Sequence, residues 1–248
     1  MPVALIAGAS RGIGRATAIH LATLGLTTYV AAEGTAAQLG ETEAACRAAG
    51  APDAAHGIFD LAQPGSAERM VQAALTRFGR IDVLVNVAGL RCQKLFGDFT
   101  QADFDLLMAV NVGAAFFASQ AVLPAMRAQG GGRIIHVASQ MGTVAAPFNT
   151  IYGMTKAALI RLAKSMALEL SPDNILVNTV SPGPIDTDFI KNRYAGDASA
   201  RTAMEARVPI GRFGTEEEIA EVIGFLATSR GKFLQGADLI VDGGYVIH

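Results

Sequence analysis

The feature that most constrains the fold is a glycine-rich turn set between an apolar run and an alanine-rich one. Residues 3–7, Val-Ala-Leu-Ile-Ala, form a short uncharged run of the kind a buried parallel strand requires. They lead into Gly8-Ala-Ser10-Arg11-Gly12-Ile13-Gly14, after which an alanine-rich segment reaches about Leu24. Strand, glycine turn and helix in that order suit a dinucleotide pyrophosphate: glycine lets the backbone approach the phosphates, and the helix N-terminus offers free N–H groups and positive potential. The spacing is G-x-x-x-G-x-G rather than the commoner G-x-G-x-x-G, so the position directly after the first strand carries the argument.

The rest of the chain keeps alternating. Residues 27–32 predict a second strand, followed at once by Glu33, where a carboxylate can accept hydrogen bonds from an adenosine ribose. A helix is expected over 35–49 and a third strand over 56–59, with Asp60 and Leu61 at its carboxyl end. A helix over 63–78, with Pro64 near its start, precedes a fourth strand over 81–87 that runs into Asn86-Val87-Ala88-Gly89. Further strands are expected over 133–137, 176–180 and 239–241. The pattern predicts an α/β fold: a Rossmann-type, doubly wound parallel sheet of about seven strands with helices on both faces. No linker or repeat interrupts it, so residues 1–248 read as one domain.

Composition narrows the partners. Hydrophobic residues make up 51% but aromatics only 6%, which suits close packing of helices on a sheet. A net charge of -2 without long charged blocks argues against nucleic acid and acidic membrane surfaces. Two cysteines, Cys46 and Cys92, suggest a reducing, cytoplasmic setting, and no metal site is expected. Residues 106–126 carry no charge, yet they include Asn111, Gly113, Ser119, Gln120 and Pro124. They read as a helix buried in the protein or in a subunit interface rather than a membrane span. Helices are expected over 101–110 and 112–128, with Asn111 between or within them, as a kink, a buried cap or a functional group.

The reactive side chains gather between residues 139 and 156. Tyr152 and Lys156 are four residues apart in an alanine-rich segment reaching Leu170, so on a helix they share a face. An ammonium beside a phenol favours the phenolate and lowers its pKa from about 10 toward the working pH, making tyrosine a usable general acid or base. Ser139 follows the fifth strand, where its hydroxyl can hydrogen-bond the same substrate oxygen. Residues 184–212, polar and irregular after the sixth strand, are a candidate substrate lid. Thr215 and Glu218 have capping-box spacing. Expected pocket residues are Leu90, Arg91, Gln140, Met141, Ala146, Phe148, Asn149, Ile185 and Tyr194, with Arg91 and Lys94 as possible readers of a charged substrate.

Taken together, the motifs resemble those of the short-chain dehydrogenase/reductase family, of the roughly 250-residue type, over essentially the whole chain. Gly8, Gly12 and Gly14 fit the family's cofactor loop, with Ser10, Arg11 and Ile13 between them. Asp60-Leu61 fits the adenine-contacting corner and Asn86-Val87-Ala88-Gly89 the Asn-Asn-Ala-Gly strand end. Asn111, Ser139, Tyr152 and Lys156 fit the catalytic tetrad, and Pro182-Gly183 with Ile185 and Thr187 the nicotinamide-side motif. Ala7 and Val87 depart from the family's usual Thr and Asn. The resemblance implies hydride transfer between a nicotinamide and a secondary alcohol or ketone of a small or medium substrate, with Tyr152 moving the proton. Ser139 then positions the substrate oxygen, Lys156 lowers the Tyr152 pKa and bonds the nicotinamide ribose, and Asn111 holds a water that links Lys156 to solvent. The motif wording is similar to that of 3-oxoacyl-carrier-protein reductases, which is the alternative function; a non-catalytic nicotinamide-binding sensor is a further one. Glu33 favours NAD, whereas Arg11 points to NADP as the alternative. The family's habit of pairing helices across two-fold axes implies a homotetramer.

Overall fold

The computed structural model describes residues 1–193 and 195–247. Its seven strands are β1 (Val3–Ala7), β2 (Thr27–Ala32), β3 (Ala54–Ile58), β4 (Val83–Asn86), β5 (Gly132–Val137), β6 (Ile175–Pro182) and β7 (Asp238–Val241). They form one sheet in the order β3-β2-β1-β4-β5-β6-β7, and every pairing is parallel. The chain winds outward from β1 to β3, returns to place β4 beside β1, then winds outward the other way. That reversal leaves a crevice between the carboxyl ends of β1 and β4, where an open α/β sheet takes its ligand.

The two faces are buried by separate sets of helices. Ala4 and Ile6 of β1 point with Val30, Val85 and Ile135 toward α1 (Gly12–Thr23), α2 (Ala36–Ala48) and α9 (Glu216–Thr228), whose Leu21, Leu39 and Ile223 are fully buried. Leu5 and Ala7 point the opposite way, with Leu84, Ile134 and Val177, toward α3 (Ser66–Phe78), α5 (Ala114–Ala128) and α6 (Thr150–Leu170). The alternation is the period of two expected of a strand covered on both faces. Capping boxes at Thr35 with Gln38, Thr100 with Asp103 and Thr215 with Glu218 start α2, α4 (Gln101–Met108) and α9, and a cap of this kind stabilises by about 1 kcal/mol.

Several boundaries differ from those read in the sequence. The third strand runs over Ala54–Ile58 rather than 56–59. The third helix begins at Ser66, not at 63, because Gly65 is in the left-handed region at φ 74 and ends the preceding turn after Pro64. The two helices expected around Asn111 are one continuous helical run, with the π-helical turn Ala109–Gly113 joining α4 to α5. This run is long and apolar enough by composition to cross a membrane, with a mean hydropathy of 1.8. In the fold one side of α5, including Ala118, Val122 and Met126, packs in the core, while Phe116 and Phe117 are exposed. The segment after β6 holds two short helices, α7 (Asp188–Arg193) and α8 (Ala198–Glu205).

Candidate active site

The glycine loop is shaped by close contacts. A methyl group on Gly14 would lie 2.0 Å from the Gly8 carbonyl oxygen, and one on Gly8 would lie 2.6 Å from the Ala88 nitrogen. Both positions therefore need the absent side chain for packing alone. Gly12 differs: its nearest neighbour would be a Glu216 oxygen at 3.7 Å, and it is the left-handed φ of 60 that calls for glycine there. Arg11 precedes α1 without a side-chain cap, and the first turn carries no acid, which leaves the helix N-terminus available to an anion. The Ala7 carbonyl accepts from Val87 and Ala88 N–H, each at 2.9 Å, and Gly8 N–H donates to Ala31 at 2.7 Å. Backbone bonds thus tie β1 to its neighbours where Ala7 and Val87 depart from the family's side chains.

A cleft of about 870 Å³ runs along the carboxyl ends of the strands. Its walls include Gly8, Ser10, Arg11, Gly12, Ile13, Gly14, Glu33, Leu61, Ala88 and Gly89 at one end. Leu90, Ser139, Gln140, Met141, Ala146, Phe148, Asn149, Tyr152 and Lys156 lie farther along, with Pro182, Gly183, Ile185 and Thr187 on the opposite side. Tyr194 lies outside the described residues. The glycine loop, the uncapped helix end and the length of the cleft fit a nicotinamide dinucleotide.

Ser139 follows β5, and its Oγ accepts from Met141 N–H at 3.1 Å. Tyr152 sits in the first turn of α6, where the Ser139 hydroxyl acts on its phenol. Burial pushes the Tyr152 phenol up, opposed by the Ser139 hydroxyl and by the Arg91 guanidinium, whose carbon is 5.3 Å from the ring centroid. Lys156 is buried one turn later, and its Nζ donates to the Val137 carbonyl at 2.8 Å and lies 5.8 Å from the Tyr152 centroid. Burial lowers Lys156 to about 8. The Lys156 ammonium, which the sequence points to as the cation acting on the phenol, is tied here to β5, and the Arg91 guanidinium also faces the ring.

Asn111 is fully buried in the π-helical turn. Its Oδ1 accepts from Leu90 N–H at 2.7 Å, and its Nδ2 donates to the Leu90 carbonyl at 2.9 Å and to Thr155 Oγ1 at 3.0 Å. It therefore fixes the loop after β4 to α6, with Gly89 packed between Asn111 and Lys156. Two expected cofactor residues turn their side chains elsewhere. The Asp60 carboxylate accepts from Ala62 N–H at 2.9 Å and Gln63 Nε2 at 3.0 Å, holding the turn after β3. Asn86 is buried beneath the cleft, 3.2 Å from His136 Nδ1.

The cleft also includes Met204, Arg207, Phe213 and Tyr245, which no motif signals. Long-range pairing brings them in: Ile185 bridges to Gly214, and Ile210 N–H donates to the Gly243 carbonyl at 3.3 Å.

A doubly wound sheet with a dinucleotide cradle and a Ser–Tyr pair in the same cleft defines a nicotinamide-dependent oxidoreductase. The family model described as enoyl-(acyl carrier protein) reductase matches residues 8–246. L-rhamnose 1-dehydrogenase (NAD(P)(+)) of Azotobacter vinelandii is 37% identical over 98% of this chain and 96% of its own. The 3-oxoacyl-[acyl-carrier-protein] reductase of Thermotoga maritima is 35% identical over 99% and 98%. Among solved structures, a 3-oxoacyl (acyl-carrier-protein) reductase from Agrobacterium tumefaciens with NADP bound superposes with a TM-score of 0.93 at 30% identity, covering 98% of this chain and 94% of that one. The chain belongs to the short-chain dehydrogenase/reductase family. Its reaction is hydride transfer between a nicotinamide cofactor and a secondary alcohol or ketone.

Proposed function

We propose that the protein is an NAD-preferring dehydrogenase or reductase of a free small molecule, with Tyr152 as the proton donor or acceptor. The observation that carries this is the placing of Tyr152 and Ser139 together in the wall of a cleft whose other end is the glycine loop. Ser139 holds the substrate oxygen beside the phenol, and Tyr152 moves the proton as charge develops there. When bound, the nicotinamide supplies or accepts the hydride. Lys156 and Gly89 form the wall against which its ribose would lie, while Asn111 positions the Leu90 backbone and α6. Glu33, exposed at the end of β2, accepts from the adenosine ribose hydroxyls. Residues 184–212 act as the substrate lid, the whole chain as one domain, and the molecule as a cytoplasmic homotetramer in which the exposed face of α5 meets another subunit rather than lipid.

The alternative, reduction of a 3-oxoacyl group on a carrier protein, is supported by the name of the Thermotoga relative. An acidic carrier would need a basic docking surface. Of the two arginines suited to one, Arg127 is paired with Asp173 at 2.7 Å, and Arg133 donates to the Leu226 and Ser229 carbonyls. That favours a free small molecule. A panel of sugars, polyols, small hydroxy compounds and 3-oxoacyl thioesters, followed with each nicotinamide by absorbance, tests the reading. Turnover confined to carrier-linked thioesters would overturn it.

A further inference from the structure

The backbone around Gln140 is firmly tied. Gln140 opens the short turn Gln140–Gly142 that follows Ser139, and its carbonyl accepts from Thr143 N–H at 2.9 Å and Val144 N–H at 3.0 Å. Gly142 N–H donates to the Ser139 carbonyl at 2.8 Å, and a methyl group on Gly142 would lie 2.8 Å from Ile160 Cδ1, so the turn is pressed against α6. Ser139 and Gln140 are thereby fixed as neighbours in the cleft wall, with Cα atoms about 3.8 Å apart.

The side chain is not tied in the same way. Gln140 is 2% exposed, yet its Oε1 has no hydrogen-bond partner among the described residues. Leaving an enclosed amide oxygen unpaired is costly, and native folds keep few such groups. Asn149, in the same wall, shows the usual arrangement: its Oδ1 accepts from Arg91 Nε at 2.7 Å and its Nδ2 donates to the Pro147 carbonyl at 2.7 Å. Asn111 is likewise bonded through both ends of its amide. The other buried side-chain atoms without a partner among the described residues, on Thr17, Thr28, His136 and Thr179, belong to residues that do not line the cleft.

Ser139 meets the substrate oxygen, so the next residue along the wall meets the atoms beside it. No hydrogen bond holds Oε1 where it is, and rotation about the last side-chain bond of glutamine is soft, so the amide can turn toward a bound molecule. A hydroxyl complements either end of it, giving a proton to Oε1 or taking one from Nε2, whereas a methyl group does neither. We propose that Gln140 receives a second hydroxyl of the substrate, on the carbon next to the one oxidised, so that the substrate is a vicinal diol or polyol and its partner the matching hydroxy ketone. This deepens the function proposed above and rests on Tyr152 and Ser139 acting on the substrate oxygen.

Matched pairs that differ by one hydroxyl test it: propane-1,2-diol against propan-2-ol, and cyclopentane-1,2-diol against cyclopentanol, each with NAD. The diol is expected to exceed the mono-alcohol in kcat/KM by about tenfold or more, because a site that pairs a substrate hydroxyl is left with its own polar group unpaired by the analogue lacking it. Gln140→Met keeps the length of the side chain and removes the amide, so it is expected to bring that ratio close to one without lowering the melting temperature. A mono-alcohol used as well as its diol by the wild type, or a ratio unchanged in Gln140→Met, overturns the proposal. Calorimetric titration of both compounds into the NADH-loaded protein, which cannot oxidise an alcohol, gives a readout free of turnover. Diol binding that is lost in Gln140→Met supports the proposal; no diol binding, or equal binding of the mono-alcohol, overturns it. Were Tyr152→Phe to keep normal turnover while diol binding still required Gln140, the proton-transfer reading would fail and the hydroxyl site would stand.

Discussion

The Lys156 ammonium donates to the Val137 carbonyl at 2.8 Å, bolting the second turn of α6 to the end of β5. This contact fixes the helix that carries Tyr152 relative to the strand that leads to Ser139. It also keeps a buried cation near the phenol without placing it in hydrogen-bond contact with the ring. The pKa of Lys156, lowered by burial to about 8, lies close to physiological pH, so a modest change in the cleft alters its charge.

Replacing the phenol tests the chemistry on this scaffold. Tyr152→Phe removes the proton-transfer group and keeps the ring, so cofactor affinity should change little while kcat falls about 10²–10⁴-fold. Fluorescence titration of the reduced nicotinamide alongside steady-state rates separates the two effects, and near-normal kcat in this variant would exclude Tyr152 as the acid or base.

His136 provides a pH signature of the fold. It is fully buried on β5, and burial, helped by the Lys156 charge, lowers it from 6.5 to about 4. Its Nδ1 meets Asn86 Nδ2 at 3.2 Å, and its Nε2 has no partner among the described residues. Between pH 6.5 and 4 the unfolded chain binds this proton and the folded one does not. The contribution is thus complete above pH 6.5 and is lost as pH falls toward 4, at up to about 1.4 kcal/mol per pH unit. His136→Asn should therefore narrow its stability deficit, or widen its advantage, relative to wild type as pH drops through that window. Urea denaturation at several pH values checks this, and a difference independent of pH would show that His136 does not carry the linkage.

Much of this was legible in the sequence because it is local. The apolar runs, the glycine turn and the Tyr152 to Lys156 spacing each express their geometry within a few residues, and the parallel sheet follows from uninterrupted alternation. The π-helical turn at Asn111 was not legible, since it depends on the Leu90 backbone and Thr155, distant in sequence. Met204, Arg207, Phe213 and Tyr245 enter the cleft only through the Ile185 to Gly214 bridge and the contact with Gly243, neither of which leaves a spacing to read. Pro64 suggested a helix start, but the left-handed Gly65 after it delays the helix to Ser66. Arg91 was legible as a pocket residue, but not its anchor, Asn149, 58 residues later.

The α5 surface bears on assembly. Phe116 and Phe117 are 43% and 46% exposed, with ring centroids 5.3 Å apart in an edge-to-face pair. Such a patch on an uncharged helix face suits a two-fold contact between copies. Light scattering should return the mass of four 25.7 kDa chains, and Phe116→Asp should shift it toward smaller species without loss of helical circular dichroism. A wild-type monomer at micromolar concentration would remove this role for α5.

Cofactor preference turns on Glu33 and Arg11, which line the same end of the cleft with opposite charges. Glu33, at the end of β2, can accept from both ribose hydroxyls of NAD, but it would meet the 2'-phosphate of NADP with a like charge. Arg11 can pair with that phosphate, yet both side chains are exposed, and an exposed pair is usually worth about 1 kcal/mol or less. The repulsion and the lost ribose hydrogen bonds act together, whereas the compensation comes from one screened contact. NAD should therefore have a several-fold higher kcat/KM, and Glu33→Arg should shift the ratio toward NADP by removing the repulsion and adding a donor. Arg11→Ala in the same assay isolates the opposing contribution and should weaken NADP more than NAD. A wild type that prefers NADP, or a ratio that Glu33→Arg leaves unchanged, would mean that Arg11 rather than Glu33 sets the choice.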